Sequence, residues 1–158
     1  MEIANLLDDE FFGIDGHPMR RGSFKLMCHA LLDCSTLGQP LQRMLSFLRL
    51  VLDDIHGELQ VKDGLAFVVV QDRGVLRRLF AYGTWFILVH GLSCWLVNQR
   101  IPLRKLSFRA PRPEDQSDYR MRFCEVIEYN APMTMVSFDE KFLDMKIAPS
   151  PATVGTVL

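Results

Sequence analysis

The stretch VLRRLFAYGTWFILVHGLSCWLVNQ, residues 75–99, decides the fold of this chain. From Leu79 to Val97 it contains no Asp, Glu, Lys or Arg, and apolar side chains fall on every face of the helix that it predicts. One stripe at helical spacing consists of Phe80, Thr84, Ile87, Gly91 and Trp95. A helix that is hydrophobic all round needs cover on all sides. The sequence therefore predicts one long buried helix around which the rest of the chain is organised.

A membrane span is the competing interpretation of this stretch. Its uncharged run is about as long as the roughly 20 residues that cross a bilayer. Basic residues flank both ends, so they give no orientation signal. The run also includes polar side chains, such as Tyr82, His90 and Ser93, whose number is high for a single lipid-facing helix. We therefore expect no membrane and a central helix of a soluble domain, buried against a sheet.

The residues before the long helix predict the first part of its cover. Glycines and a proline break up residues 1–23, which we expect to form an N-terminal arm. Helical spacing of apolar residues predicts a helix over 24–33 and a second one that Ser35 or Thr36 opens and that runs to Leu52. The short turn between the two helices predicts an antiparallel helix pair.

The apolar period then changes from about four residues to two, which indicates strands. Residues Lys62 to Gly64 have the composition of a hairpin turn. A short helix is expected over 118–122 and a last extended piece over 142–147, and strands are predicted at 54–60, 65–70, 104–109, 125–129 and 133–138. The order predicts an α+β fold, with the N-terminal helix pair, an antiparallel sheet of about four to five strands and one long buried helix packed on the sheet.

Composition limits the classes of function. The chain has 158 residues and a net charge of −1, so it has no basic field that would draw it to DNA or anionic lipid. Its acidic start lacks the layout of a signal peptide, and a cytoplasmic location is expected. The four cysteines show neither a CxxC pair nor zinc-ligand spacing. We expect them to be buried structural thiols.

Motifs of catalysis and cofactor binding are missing from the sequence. It contains no Gly-x-Ser-x-Gly, no P-loop, no GxGxxG and no HExxH, and its four histidines are scattered. We therefore expect no enzyme, no metal and no cofactor.

His90 is the most informative polar residue of the long helix, because it lies between apolar neighbours. A histidine there either bonds a nearby carbonyl or carboxylate in the core or contacts a ligand in a pocket beside the helix. Aromatic residues with polar tips suit a pocket for an organic molecule, although they suit a plain core as well. Two arginines near strand positions could hold a carboxylate. The candidate ligand-binding residues are Tyr82, Trp85, His90, Trp95, Arg104 and Arg122.

Several motifs in order also resemble a known family. They are Gly22-x-Phe24, the run ALLDCSTLGQPLQRMLSFLRL, Trp95-Leu96, Pro111-x-Pro113, Tyr119-x3-Phe123, Val126-Ile127-x-Tyr129-x-Ala131 and Leu143-Asp144. Together, from about residue 12 to 147, they resemble the N-terminal regulatory, arabinose-binding-like domain of bacterial AraC-type transcription regulators. Members of this family are two-part proteins, in which a sensor and dimerisation domain precedes a helix-turn-helix DNA-binding domain.

The resemblance implies what the chain does. Residues 1–147 would form a single ligand-sensing and dimerisation domain, and residues 148–158 a linker towards an absent DNA-binding domain. The domain would bind an amino acid, an organic acid or a fatty acid, form a homodimer, and act on DNA through the missing part. A ligand-free protein–protein interaction module and a small enzyme are the alternatives. Candidate dimer surfaces are the exposed side of the 41–52 helix and an edge strand at 103–108.

Overall fold

The computed structural model describes residues 26, 31 and 35–148, and its helices and strands follow the predicted order. The elements are helix α1 Gly38–Val51, strand β1 His56–Lys62, strand β2 Leu65–Gln71, helix α2 Leu79–Val97, strand β3 Leu103–Ser107, helix α3 Ser117–Arg122, strand β4 Ile127–Glu128, strand β5 Thr134–Asp139 and a 3₁₀ helix Glu140–Asp144. The predicted arm over 1–23, most of the helix predicted over 24–33, and the predicted linker beyond residue 148 lie outside the described residues.

The α+β fold is confirmed, and the described part of the chain forms a sheet of five strands in the order β1-β2-β5-β3-β4. Three neighbouring pairs are antiparallel, whereas β3 and β4 are parallel. The parallel pair arises because the chain passes through α3 between these two strands, and a crossover returns a strand in the same direction. The sheet is therefore mixed. Strand β3 lies between β5 and β4, so the edge predicted at 103–108 is not free at Leu106 and Ser107, although β4 does not extend along the first residues of β3.

Helix α2 packs one side on the sheet and leaves part of the other exposed. Trp85 and Phe86 are buried on the sheet side, with their ring centroids 5.5 Å apart. On the opposite stripe, Phe80 is 57% and Ile87 is 40% exposed. The helix is long and apolar enough to cross a membrane, and 56% of its most apolar window is buried within the protein. The sequence predicted that the helix is covered on all sides, and in the structure this cover is not complete.

The start of α1 differs from its prediction. Its N-cap is Leu37, and no side chain caps the helix, neither Ser35 nor Thr36. Instead, the backbone of the later chain holds this turn, because Leu37 N–H donates to Met145 O at 2.9 Å and Thr36 forms a β-bridge with Lys146.

The piece predicted as extended over 142–147 begins inside the 3₁₀ helix. The Asp139 carboxylate caps this helix by accepting from Lys141 N–H at 3.0 Å. Such a cap satisfies one of the free backbone donors of the first turn. The tight turn is therefore favoured over a continuous strand.

Gly57 allows a direct test of the packing between α2 and β1. A Cβ atom at Gly57 would lie 2.6 Å from Cζ2 of Trp85, and this indole ring is fully buried, so it has no room to move. We expect Gly57→Ala to lower the free energy of unfolding in urea by about 1–3 kcal/mol. Gly91→Ala is the control, because nothing lies within 4 Å of its added Cβ in mid-helix, and it should stabilise the protein by about 0.5–1 kcal/mol. Equal effects of the two substitutions would contradict this packing.

Candidate functional site

A small internal cavity of about 30 Å³ lies between α2, α1 and the sheet. Among the described residues that line it, His90 and Ser93 of α2 are polar and the others are apolar. The lining residues are Leu37, Leu41, Val68, Phe86, Val89, His90, Ser93, Ile101, Leu103, Phe123, Val136 and Phe138. Because α2 carries no charge, its sheet-facing side presents a nearly dry wall with one pair of hydrogen-bonding groups.

His90 is held in this wall by the backbone that follows α2. Its Nε2 lies 2.9 Å from the carbonyl oxygen of Ile101. Burial lowers the pKa of His90 below its usual value, and the nearby charge of Arg100 acts in the same direction, against the hydrogen bond to Ile101. The ring is therefore neutral at pH 7. Since the carbonyl accepts, Nε2 carries the proton, and Nδ1 is left as an acceptor.

Two further side chains of α2 complete this hydrogen-bonding group. Ser93 Oγ donates to Val89 O at 2.7 Å, and its hydroxyl oxygen can still accept a bond. Cys94 Sγ accepts from Ile101 N–H at 3.3 Å. Burial raises the pKa of the Cys94 thiol. His90 and Cys94 thus bind both backbone groups of Ile101 and fix the turn from α2 into β3.

A surface groove of about 240 Å³ lies on the other side of the cavity wall, between α2 and α3. It is lined by Phe80, Gly83, Thr84, Ile87, Asp118, Tyr119, Arg122 and Phe123. Gly83 permits the close approach of α3, because a Cβ there would lie 3.1 Å from Cε1 of Tyr119. Phe123 lines both the groove and the internal cavity, so its ring separates the two spaces.

Phe123 is a buried residue at the end of α3, a helix whose own residues are not buried. The side chain is 2% exposed, and its ring centroid lies 6.5 Å from that of His90. Helix α3 itself has no buried residue. Arg100 ties this end of α3 to the protein, because its Nη2 donates to the carbonyl oxygens of Met121 and Arg122, both at 3.2 Å. The wall at Phe123 therefore depends on a short, lightly packed element.

A buried ionic cluster fixes the other end of α2, and the sequence did not reveal it. Asp72 is 5% exposed, forms an ion pair with Arg109 and accepts from the Tyr82 hydroxyl at 2.6 Å. The same hydroxyl accepts from Arg77 N–H at 2.9 Å. Burial, together with the hydrogen bond to Asp72, raises the pKa of Tyr82 to about 12. The cluster joins the end of β2, the first turn of α2 and the end of β3.

This cluster also explains why α2 starts later than predicted. Arg78 is extended, and the helix begins at Leu79 rather than Val75. The backbone N–H of Arg77 donates to the Tyr82 hydroxyl. The Arg77 side chain donates to Asp72 O at 3.3 Å and forms an ion pair with Asp54 at 3.6 Å. These contacts hold residues 75–78 in a connecting segment.

The six predicted ligand-binding residues are spread over several places. His90 lines the cavity and Arg122 lines the groove. Tyr82 and Trp85 are fully buried and line neither space. The Tyr82 hydroxyl donates to Asp72, and Trp85 Nε1 has no hydrogen-bond partner among the residues that the structure describes. Trp95 is half-buried on α2. Arg104, whose side chain is 65% exposed, pairs with Asp139 at 3.6 Å.

Metal binding finds no support in the part of the chain that the structure describes. No group of three or more His, Cys, Asp or Glu side chains there could hold a metal ion. What the arrangement offers is an apolar space with a neutral histidine, next to a groove with aromatic and charged walls.

The lowered pKa of His90 predicts a pH dependence of stability. The unfolded chain binds a proton near pH 6.5, whereas the folded chain does so only at lower pH, so unfolding is favoured as pH falls through this window. We expect the free energy of unfolding to decrease more between pH 7.5 and pH 5.5 in the wild type than in His90→Gln. Urea unfolding at both pH values measures this difference. Equal decreases in the two proteins would rule out a buried neutral His90.

Comparison with known proteins agrees with this fold. The sequence profile of a family described as the arabinose-binding domain of AraC transcription regulator, N-terminal, matches residues 1–147. Among solved structures, the chain is similar to transcriptional regulator CdpR from Pseudomonas aeruginosa, with a TM-score of 0.51 and 19% identity. The match covers 83% of this chain and 43% of that one. No protein of curated function matches. The chain belongs to the family of N-terminal arabinose-binding domains of AraC transcription regulators.

Proposed function

We propose that this domain senses a small-molecule effector between α2 and the sheet and thereby controls a separate DNA-binding domain. The parent protein would be a bacterial, cytoplasmic AraC-type regulator that forms a homodimer. Membership of the family supports effector sensing in a transcription regulator. The observation that carries the proposal is the cavity beside His90, which Phe123 divides from the groove outside.

The closed cavity is too small for an effector, so binding requires a rearrangement. Pockets for small organic ligands hold roughly 300–1,000 Å³, whereas this cavity has about 30 Å³. Rotation of the Phe123 ring would join it to the groove of about 240 Å³. The joined space approaches the lower end of that range. Effector binding would then select a conformation in which Phe123 and α3 have moved away from α2.

The chemistry of the walls favours an amphipathic acid over a sugar. Each sugar hydroxyl buried without a partner costs roughly 1–3 kcal/mol. Among the described lining residues of the cavity, only the side chains of His90 and Ser93 are polar. The apolar walls of the cavity suit an apolar tail once Phe123 has moved. Arg122 in the groove makes no ion pair with any residue that the structure describes, so its guanidinium can take a carboxylate. We therefore propose an organic or fatty acid rather than arabinose or a free amino acid.

The mechanism would be a population shift. An effector that binds the open arrangement better than the closed one raises the population of the open arrangement. Displacement of α3 would change how two domains pack in the homodimer and thus how the attached DNA-binding domains are placed. This domain itself would not contact DNA, in agreement with its net charge of −1.

A thermal-shift screen of the 158-residue chain tests the proposal. Amino acids, organic acids and fatty acids of increasing chain length are added one at a time, with arabinose as a comparison. A ligand that binds the native state alone must raise the melting temperature. We expect acids with an apolar tail to do so. No shift with any class would favour a ligand-free interaction module instead.

A cavity-filling substitution tests the place of binding. Val136 lines the cavity, and Val136→Ile adds one methylene there, which should stabilise the ligand-free protein by up to about 0.8 kcal/mol and weaken effector binding. Val69→Ile is the control, because Val69 is equally buried but does not line the cavity. Calorimetric titration with the best acid of the screen measures both affinities. If Val69→Ile weakened effector binding and Val136→Ile did not, the effector would bind elsewhere.

A second substitution tests the acid group. Arg122→Gln removes the positive charge from the groove and should weaken binding of the acid about tenfold or more, because hydrogen bonds between charged groups contribute about 1.5–3 kcal/mol. Arg122→Gln should weaken binding of the uncharged methyl ester of the same acid only slightly. Arg120→Gln on the same helix serves as the control, since Arg120 is exposed and does not line the groove. An equal loss with both variants would argue against a carboxylate at Arg122.

A further inference from the structure

Among the strands that the structure describes, β1 forms one edge of the sheet. It has seven residues, pairs with β2 along its whole length, and has no other neighbour among the described strands. It contains no proline, and the side chain of Val61, near its end, is 49% exposed. Backbone donors and acceptors at a sheet edge form a template for a further strand. The other edge, β4, has only two residues.

The side chains of β1 divide cleanly between the two faces of the sheet. Gly57, Leu59 and Val61 face the core, because their partners on β2 are the core residues Val70, Val68 and Ala66. Glu58, Gln60 and Lys62 therefore lie on the opposite face. The core-facing row is apolar and the outer row carries one charge of each sign.

This strand is complementary to itself in the antiparallel register that is centred on Gln60. When two copies are paired about Gln60, Glu58 of each lies opposite Lys62 of the other, and Leu59 lies opposite Val61. All five positions from 58 to 62 then face a suitable partner, and opposite charges across a sheet are stabilising. A register centred on Glu58 would instead bring two glutamates together. A register centred on Leu59 would place His56 opposite Lys62.

A surface groove next to this edge suits the partner strand. It holds about 230 Å³ between α1 and β1 and is lined by Gln42, Leu45, Ser46, Arg49, Gly57, Glu58 and Leu59. In the register about Gln60, Val61 of the second copy lies against Leu59 and at this groove. In a symmetric pair, the exposed Val61 side chain of each copy would thus become buried.

We propose that two copies of this chain pair through their β1 edges, antiparallel and about a two-fold axis at Gln60. The two sheets then form one continuous sheet with all packed helices on the same face. Such a contact is isologous, so every pair of contacts occurs twice. The proposal rests on the homodimer in the proposed function and locates its interface, but it does not depend on the effector site.

Charge reversal and its repair test the register. Lys62→Glu places like charges opposite each other at two symmetric positions, and we expect the dimer dissociation constant to rise about tenfold or more. Glu58→Lys acts in the same way, although it also removes the weak 4.0 Å ion pair with Arg49. The double variant Glu58→Lys/Lys62→Glu restores opposite charges, and its dissociation constant should return close to that of the wild type.

Sedimentation velocity of the full 158-residue chain over a range of concentrations measures these constants. Lys105→Glu is a control for the change of charge, because Lys105 lies on β3 and not on β1, although it also breaks the 3.0 Å ion pair with Glu128. Far-ultraviolet circular dichroism confirms that each variant is folded. A monomeric wild type, or a dimer that the single reversals leave unchanged, overturns the proposal. A double variant that dimerises as weakly as the single variants also overturns the proposal.

The effector experiments give an independent result. The single charge variants should keep the thermal shift of the wild type in the ligand screen, because β1 residues do not line the cavity. Loss of the dimer with an intact thermal shift supports the β1 interface. A β1-dependent dimer without any ligand response supports this interface while contradicting the sensor function.

Discussion

Burial of a 19-residue helix without any charge against one face of a sheet is the constraint on which the structure depends. Apolar side chains on all faces supply a strong drive for burial, at about 1.5–3 kcal/mol for each large side chain. They do not say which face should be buried. An amphipathic helix finds its rotation from its own pattern, and α2 has no such pattern to follow.

Specific contacts therefore fix the rotation of α2. Gly57 leaves room on β1 for the Trp85 ring, and Gly83 leaves room on α2 for Tyr119. The Tyr82 hydroxyl reaches the buried carboxylate of Asp72. Two of these contacts are steric and the third is polar, and a rotated helix would lose all three. Buried polar pairs contribute to a unique arrangement in this way when their partners are satisfied.

The same rotation creates the candidate site. It turns His90 and Ser93 towards the sheet, where the backbone of Ile101 and the first turn of α1 close the cavity. It also leaves Phe80 and Ile87 exposed beside α3. The cavity and the groove thus lie on the two sides of one ring, that of Phe123. A lightly packed α3 next to a tightly packed α2 is an arrangement that an effector could open at small cost.

Local sequence signals were sufficient for the order of the elements. The hairpin turn at Asp63-Gly64 has the positive φ angles of 54° and 79° that its composition predicts, and the switch from helical to alternating periodicity marked β1. Tertiary features were not accessible in the same way. The pairing of Asp72 with Arg109 and the parallel β3–β4 pair depend on strand order, which periodicity does not contain.

The candidate site was predicted in part for the same reason. The polar residues of α2 were visible in the sequence, and His90 does line the cavity. Whether a polar side chain faces a cavity or a buried partner depends on a residue far away in the chain, as Tyr82 and Asp72 illustrate. Phe123 was not among the candidate ligand-binding residues, because an aromatic residue after a short helix has the signature of an ordinary core residue.

The most direct measurement is nuclear magnetic resonance of the chain with the acid that gives the largest thermal shift. Intermolecular nuclear Overhauser effects between the apolar tail and methyl groups locate the effector without assumptions about its pose. The account predicts contacts with the methyl groups of Leu41, Val89 and Val136, together with a shifted Phe123 ring. Contacts confined to methyl groups outside the cavity, with Phe123 unchanged, would contradict it.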